Sequence, residues 1–129
     1  MSDSSESPTP RGESFSRRLR LRRRREFQEV FARRCSKRDR LLVVYGRLNG
    51  LPHARLGIAV SRRLGKAAVR NRWKRRLREA FRRERAVLPG GIDFVVIPTA
   101  PAPAGYRDVC KSLKLLTSEV ARRLRRESR

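Results

Sequence analysis

Apolar positions divide the chain into segments of different period. In Glu26-Phe27-Gln28-Glu29-Val30-Phe31 the apolar members recur at helical spacing, which predicts a short first helix over residues 23–34. Leu41-Leu42-Val43-Val44-Tyr45 is aliphatic and aromatic, and after Asn49-Gly50 and Pro52 the stretch Arg55-Leu56-Gly57-Ile58-Ala59-Val60-Ser61 alternates large and small. Both read as strands, and their closeness predicts antiparallel neighbours. In the second, Leu56, Ile58 and Val60 share one face, which helices should cover; Gly57, Ala59 and Ser61 leave the other sterically open. After the turn at Gly65, residues 66–87 have the period of a long amphipathic helix, halted by Leu88-Pro89-Gly90-Gly91. Ile92-Asp93-Phe94-Val95-Val96-Ile97 is a buried strand ended by Pro98. A stiff Pro/Ala connection over 99–105 follows, and Val109, Leu113, Leu116, Val120 and Leu124 step by helical intervals in a closing helix.

Outside these elements, residues 1–16 combine Ser, Pro, Glu and Gly with one Phe. That composition cannot bury enough apolar surface to offset chain entropy, so a disordered tail is expected there, followed by one domain over 17–129. Between Arg17 and Arg25 seven of nine residues are Arg, broken only by Leu19 and Leu21.

Charge sharpens this picture. The 129 residues hold 35 Lys+Arg against 12 Asp+Glu, a formal charge of +23, and 30 of the basic residues are Arg. The guanidinium fork suits phosphate oxygens and stacks on bases, so the expected polyanion is nucleic acid. The opening residues lack a basic start followed by an apolar stretch, and the longest apolar run, Leu41 to Tyr45, is far short of the roughly 20 residues a membrane span needs. Cys35 and Cys110 belong to no CxxC or Cys/His cluster, which argues against a structural zinc or a disulfide framework. A cytoplasmic protein is expected.

The long helix carries the densest charge: twelve Lys/Arg from Arg62 to Arg85 against Glu79 and Glu84. At 100° per residue Val69, Trp73, Leu77, Ala80, Phe81 and Leu88 fall on one face, which must pack on the sheet. Asn71, Arg75, Arg78 and Arg82 point nearly opposite, with Arg70 and Lys74 on one flank and Arg72 and Arg76 on the other. Like charges at i,i+3 and i,i+4 cost a few tenths of a kcal/mol per pair; a face serving stability alone would interleave Glu, whereas this fan fits phosphates. Asn71 can meet a base edge, a sugar hydroxyl or a helix-start cap.

The segment Arg55-Leu-Gly-Ile-Ala-Val-Ser-Arg-Arg-Leu-Gly-Lys-Ala-Ala-Val-Arg-Asn-Arg-Trp-Lys-Arg-Arg-Leu-Arg-Glu-Ala-Phe81 closely resembles the signature of the bacterial ribonuclease P protein subunit. Its Arg70-Asn71-Arg72 triplet sits in the family's longer frame, from a strand ending in Ser-basic-basic to Arg-Glu-Ala-Phe. Phe27-Gln-Glu-Val-Phe31 resembles the family's first helix and Leu42-Val-Val-Tyr45 its first strand, so the similarity spans residues 21–124. Trp73 stands where the family usually has an aliphatic residue, and Arg replaces many of its lysines. Trp73 lies in the apolar stripe and reads as core.

The resemblance implies an α/β fold, an α+β two-layer sandwich of a mainly antiparallel sheet of about four strands with three helices and a left-handed β-α-β crossover. It implies a protein partner of a catalytic RNA that cuts the 5′ leader from precursor tRNA, using Mg2+ held mainly by RNA, with no membrane and no protein partner required. The chain itself then supplies no catalytic residue and no metal ligand. His53 is the sole histidine, in an expected turn beside Pro52, and no paired carboxylates or nucleophile and base stand out. By the same resemblance, Arg70, Asn71, Arg72, Lys74, Arg75 and Arg78 dock on the RNA subunit. Phe27, Phe31 and Tyr45 line a cleft for the unpaired leader, with Arg62, Arg63 and Lys66 as cations at its edge. Aromatic faces stack on unpaired bases for about 1 to 3 kcal/mol each, although the i,i+4 pair Phe27 and Phe31 fits an ordinary core equally well. By composition alone a ribosomal or other structural RNA-binding protein remains a rival. A DNA-binding regulator stands behind it, because strands rather than a second helix flank the basic helix.

Overall fold

The computed structural model describes residues 17–100 and 105–128; the expected tail over 1–16 and most of the Pro/Ala connection lie outside them. A 3-10 turn, Arg17–Leu19, leads into α1 (Arg24–Arg33), β1 (Ser36–Arg38), β2 (Leu42–Leu48) and β3 (Arg55–Ile58). A second 3-10 turn, Arg62–Leu64, precedes α2 (Ala67–Glu84), which ends in a third, Arg85–Val87. β4 (Ile92–Pro98) and α3 (Tyr106–Glu127) complete the chain. No helix among the described residues is long and apolar enough to cross a membrane.

The sheet order is β1-β2-β4-β3. It is mixed: β1 and β4 each run antiparallel to β2, while β3 and β4 are parallel and α2 is the crossover between them. The expected pairing of the two neighbouring strands is therefore corrected. β4 inserts between β2 and β3, because its run of apolar residues on both faces can be buried only in the middle of the sheet. β1 has no apolar pattern and was not expected; it forms an edge by pairing Ser36 with Tyr45 and Arg38 with Val43.

One face of the sheet packs against α2 and α3. Leu42, Val44, Leu56, Ile92, Phe94 and Val96 meet Trp73, Leu77 and Phe81 of α2 and Leu113, Leu116, Val120 and Leu124 of α3. Each such side chain removed from water contributes about 1.5–3 kcal/mol. Trp73 is fully buried, and its indole N–H donates to the Ala100 carbonyl at 3.1 Å, so its one polar group is satisfied. Gly46 lets α3 approach β2 closely, since a Cβ there would stand 2.5 Å from Val120 Cγ1.

The opposite face carries a smaller core of Leu21, Val30 and Val95, with Phe27, Phe31, Tyr45, Ala59 and Ile97 packed around it. The Gly57 side of β3, expected to be open, is closed: a Cβ on Gly57 would lie 2.7 Å from Phe27 Cζ and 3.1 Å from Leu21 Cβ. The missing side chain is what admits the Phe27 ring. Strand geometry also ends at Ile58, so Val60 does not extend it.

Candidate nucleic-acid interface

The orientation of α2 follows from its stripe. Trp73, Leu77, Ala80 and Phe81 are buried while Asn71, Arg72, Arg75, Arg78 and Arg82 are exposed, and Arg70, Lys74 and Arg76 lie half-buried on the flanks. Among the described residues no carboxylate lies within 4.0 Å of a charged nitrogen of Arg70, Arg72, Lys74, Arg75 or Arg78; the α2 pair that does form joins Glu84 to Lys114 of α3 at 3.5 Å. Arg70 Nε is shielded from solvent with no hydrogen-bond partner there, and such a donor is costly unless an acceptor arrives. The ridge is neither buried nor neutralised internally, and an exposed array of unpaired guanidinium groups can grip phosphates.

The other candidate surface is set by how α1 crosses the sheet. Strand register places Tyr45, Val95 and Gly57 in one row, Arg47, Asp93 and Arg55 in the row on one side of it, and Val43 beside Ile97 on the other. Carboxylates fasten α1 over the first two rows. Glu26 Oε1 accepts the backbone N–H groups of Arg22 at 2.9 Å and Arg23 at 3.0 Å, capping the helix start. Its Oε2 lies 3.4 Å from Arg55, and Glu29 pairs with Arg47 at 3.4 Å. Those backbone donors, ahead of the Arg55 charge, hold the Glu26 carboxyl below its usual range. Arg55 in turn grips buried Asp93 through two 2.8 Å hydrogen bonds, and Asn49 donates to the same carboxylate at 2.8 Å. This network fixes α1 along one side of the face. Val95 is covered, whereas Val43, Ile97 and Ala59 stay half-exposed beside the helix.

Phe27 and Phe31 border that strip, half-buried, and Phe31 meets Tyr45 edge to face with centroids 4.9 Å apart. The aromatics thus belong to the rim of the smaller core with part of each ring accessible. Arg62, Arg63 and Lys66 are exposed in the turn after β3 and at the N-cap of α2. Ser61 Oγ accepts the Arg63 N–H at 3.1 Å and shapes that turn. Val43, Ala59 and Ile97 were missed as floor residues, although the alternation of β4 already put Ile97 opposite Val96.

Phe27 also faces a second hollow, of about 300 Å³, which it shares with Arg20, Leu21 and Arg22 and with Lys74 and Arg78 of α2. The structure therefore joins the helix ridge to the aromatic strip through the chain ahead of α1. Burial, and then the charges of Arg78, Arg22 and Arg17, hold the Arg20 guanidinium below its ordinary value, which shows how crowded these cations are. Their involvement was legible only as the Leu19-Arg20-Leu21-Arg22 alternation. His53 lies in the loop before β3, where its carbonyl accepts from the Asn49 amide at 3.2 Å.

Comparisons with known proteins show the family. The family model Ribonuclease P matches residues 15–121. The ribonuclease P protein component of Thermotoga maritima is 52% identical over 86 residues, covering 67% of this chain and 74% of that protein. That of Geobacillus kaustophilus is 41% identical over 101 residues, covering 77% and 84%. The solved T. maritima ribonuclease P protein superposes with a TM-score of 0.70 at 41% identity, covering 77% of this chain and 96% of its own. The ribonuclease P protein of Staphylococcus aureus gives 0.69 at 32% identity over 78% and 94%. A basic helix crossing between parallel strands, with an aromatic strip on the far face of the sheet, is thus set in a chain that belongs to the ribonuclease P protein family.

Proposed function

We propose that this chain, acting in the cytoplasm, assists a catalytic RNA in endonucleolytic removal of the 5′ leader from precursor tRNA, holding the RNA subunit with α2 and the unpaired leader on the α1 side of the sheet. The observation that carries the reading is the division of α2: Trp73, Leu77, Ala80 and Phe81 of its stripe are buried while Asn71, Arg72, Arg75 and Arg78 stand exposed, with no carboxylate partner among the described residues. Arg70 and Lys74 complete the docking set. A helix held this rigidly presents its cations at fixed spacing, so phosphate contacts set the register of the RNA and carry no demand on sequence.

The half-exposed rings of Phe27, Phe31 and Tyr45 offer faces and edges to unpaired bases, and Val43, Ala59 and Ile97 form an apolar floor. Arg62 and Lys66 supply cations where the strip runs out beyond β3. Stacking of this kind accepts any base, as a subunit serving many precursors requires. Among the described residues no three His, Cys, Asp or Glu side chains converge into a group that could hold a metal ion. The reading leaves magnesium and the hydrolysis of the phosphodiester to RNA, and it needs no further protein.

The test is cleavage of precursor tRNA by the cognate ribonuclease P RNA at low magnesium, with and without this protein. The expected result is faster release of the leader when the protein is present; a folded protein that gives no stimulation would overturn the reading.

A further inference from the structure

The residues ahead of α1 are built into the fold. Leu19 and Leu21 are each 5% exposed, the Leu21 N–H donates to the Leu56 carbonyl at 2.9 Å, and Arg20 bridges Leu56 in parallel. The chain at 20–22 thus meets the free edge of β3 through one isolated parallel bridge. Its alternation buries leucine and turns arginine outward, so the arginines stand on a fixed support.

They surround a hollow of about 360 Å³ whose described lining is Arg17, Arg18, Arg20, Arg22, Arg23, Arg55 and the carboxylate of Glu26. That carboxylate is already engaged by two backbone N–H groups and by Arg55, and Arg55 also grips Asp93. Arg17, Arg18, Arg22 and Arg23 are exposed, and among the described residues no carboxylate pairs with their side chains. The hollow adjoins the one beside α2, because Arg20 and Arg22 line both. A line of cations therefore runs from Lys74 and Arg78 across the edge of β3 to the start of α1.

We infer that this arginine trough is a separate phosphate-binding site, which takes successive backbone phosphates of one RNA strand. A lone phosphate is satisfied by two or three donors; a run of cations across a strand edge matches an anion that repeats along a polymer. The inference rests on the RNA-binding reading above and extends it from the Arg78 side of α2 to residues ahead of α1.

The test compares two full-length variants of equal charge. One carries Arg17→Gln, Arg18→Gln, Arg22→Gln and Arg23→Gln; the other carries Arg107→Gln, Arg122→Gln, Arg125→Gln and Arg126→Gln, all exposed on α3. Binding to the cognate ribonuclease P RNA is titrated against salt, after thermal melts monitored by circular dichroism establish that each variant folds. Each lost phosphate contact lowers the log–log slope by about 0.7–0.9, so the trough variant, with four contacts removed, should lose about 3 and the α3 variant less than half of that. A loss no larger than that of the α3 variant overturns the trough. Should the fourfold variant fail to fold, Arg17→Gln with Arg18→Gln, upstream of the Leu56 pairing, gives the same comparison against Arg125→Gln with Arg126→Gln. Leader cleavage by the parent protein separates the two failures: stimulation that persists beside an inert trough removes the trough alone, whereas a parent with neither binding nor stimulation removes the function as well.

Discussion

A hydrogen atom at Gly57 decides how close α1 comes to the sheet. The Phe27 ring stands where a Cβ would be, at 2.7 Å, with Leu21 Cβ behind it at 3.1 Å. The ring can swing but Leu21 is held by its pairing to Leu56, so Gly57→Ala should cost about 1–3 kcal/mol, the usual range for an overpacked core. Because the clash is chiefly with one ring, the penalty should shrink by about 1 kcal/mol in a Phe27→Ala background, measured by urea unfolding in a double-mutant cycle. Equal penalties in both backgrounds would mean that Phe27 does not stand over this glycine. The sequence marked Gly57 as small but gave the wrong sense to it: smallness reads as an open face until the partner ring is known, and that partner lies thirty positions earlier in the chain. Trp73 was the reverse case. Its place in the stripe of α2 was enough to predict burial, because helical periodicity is local.

At the scale of elements, Glu26 is the fastener of α1: it caps the helix start and reaches Arg55 of the sheet. Its carboxyl is held below the usual range chiefly by the Arg23 and Arg22 N–H groups. A depressed carboxyl contributes stability above its unfolded pKa and loses it as the pH falls through the folded one. Glu26→Gln should therefore destabilise the protein near pH 7, by about 1 kcal/mol as for a lost cap, and the gap between parent and variant should close on acidification below the ordinary glutamate range. Unfolding free energies from pH 7 down to pH 3 would show it; a gap constant with pH would deny the carboxylate its role. The helices and strands themselves were legible, since α1, α2, α3, β2 and β4 each carry an apolar period. Their partners were not. β1 is Ser-Lys-Arg and owes its existence to the exposed edge of β2, and the insertion of β4 between β2 and β3 is a non-local choice that no window of sequence contains. The ridge on α2 could be read for the same local reason as Trp73. The trough could not, because it needs Leu19 and Leu21 to find the edge of β3.

At the scale of the whole molecule, +23 on 129 residues is a load that the fold does little to neutralise. The described ion pairs spend carboxylates on holding elements together, Glu26 and Asp93 on Arg55, Glu84 on Lys114 and Glu127 on Arg33, and among the described residues none reaches Arg72, Arg75 and Arg78 of the ridge or Arg17, Arg18, Arg22 and Arg23 of the trough. A compact cationic protein of this kind is destabilised by its own field, and an anion that binds the folded state preferentially must stabilise it by mass action. Low-millimolar sulfate should therefore raise the melting temperature above that in chloride at matched ionic strength, in a range where the general salting-in or salting-out of surfaces is small. The rise should saturate, because sites fill: at ten times the dissociation constant a single site contributes about 1.4 kcal/mol. Replacing Arg17, Arg18, Arg22 and Arg23 by Gln should remove part of the sulfate effect while raising the melting temperature in chloride, since the same substitutions relieve repulsion. Equal melting temperatures in the two salts would mean that the cations are too widely spaced to share a divalent anion, and the stabilisation by sulfate would be refuted for ridge and trough alike.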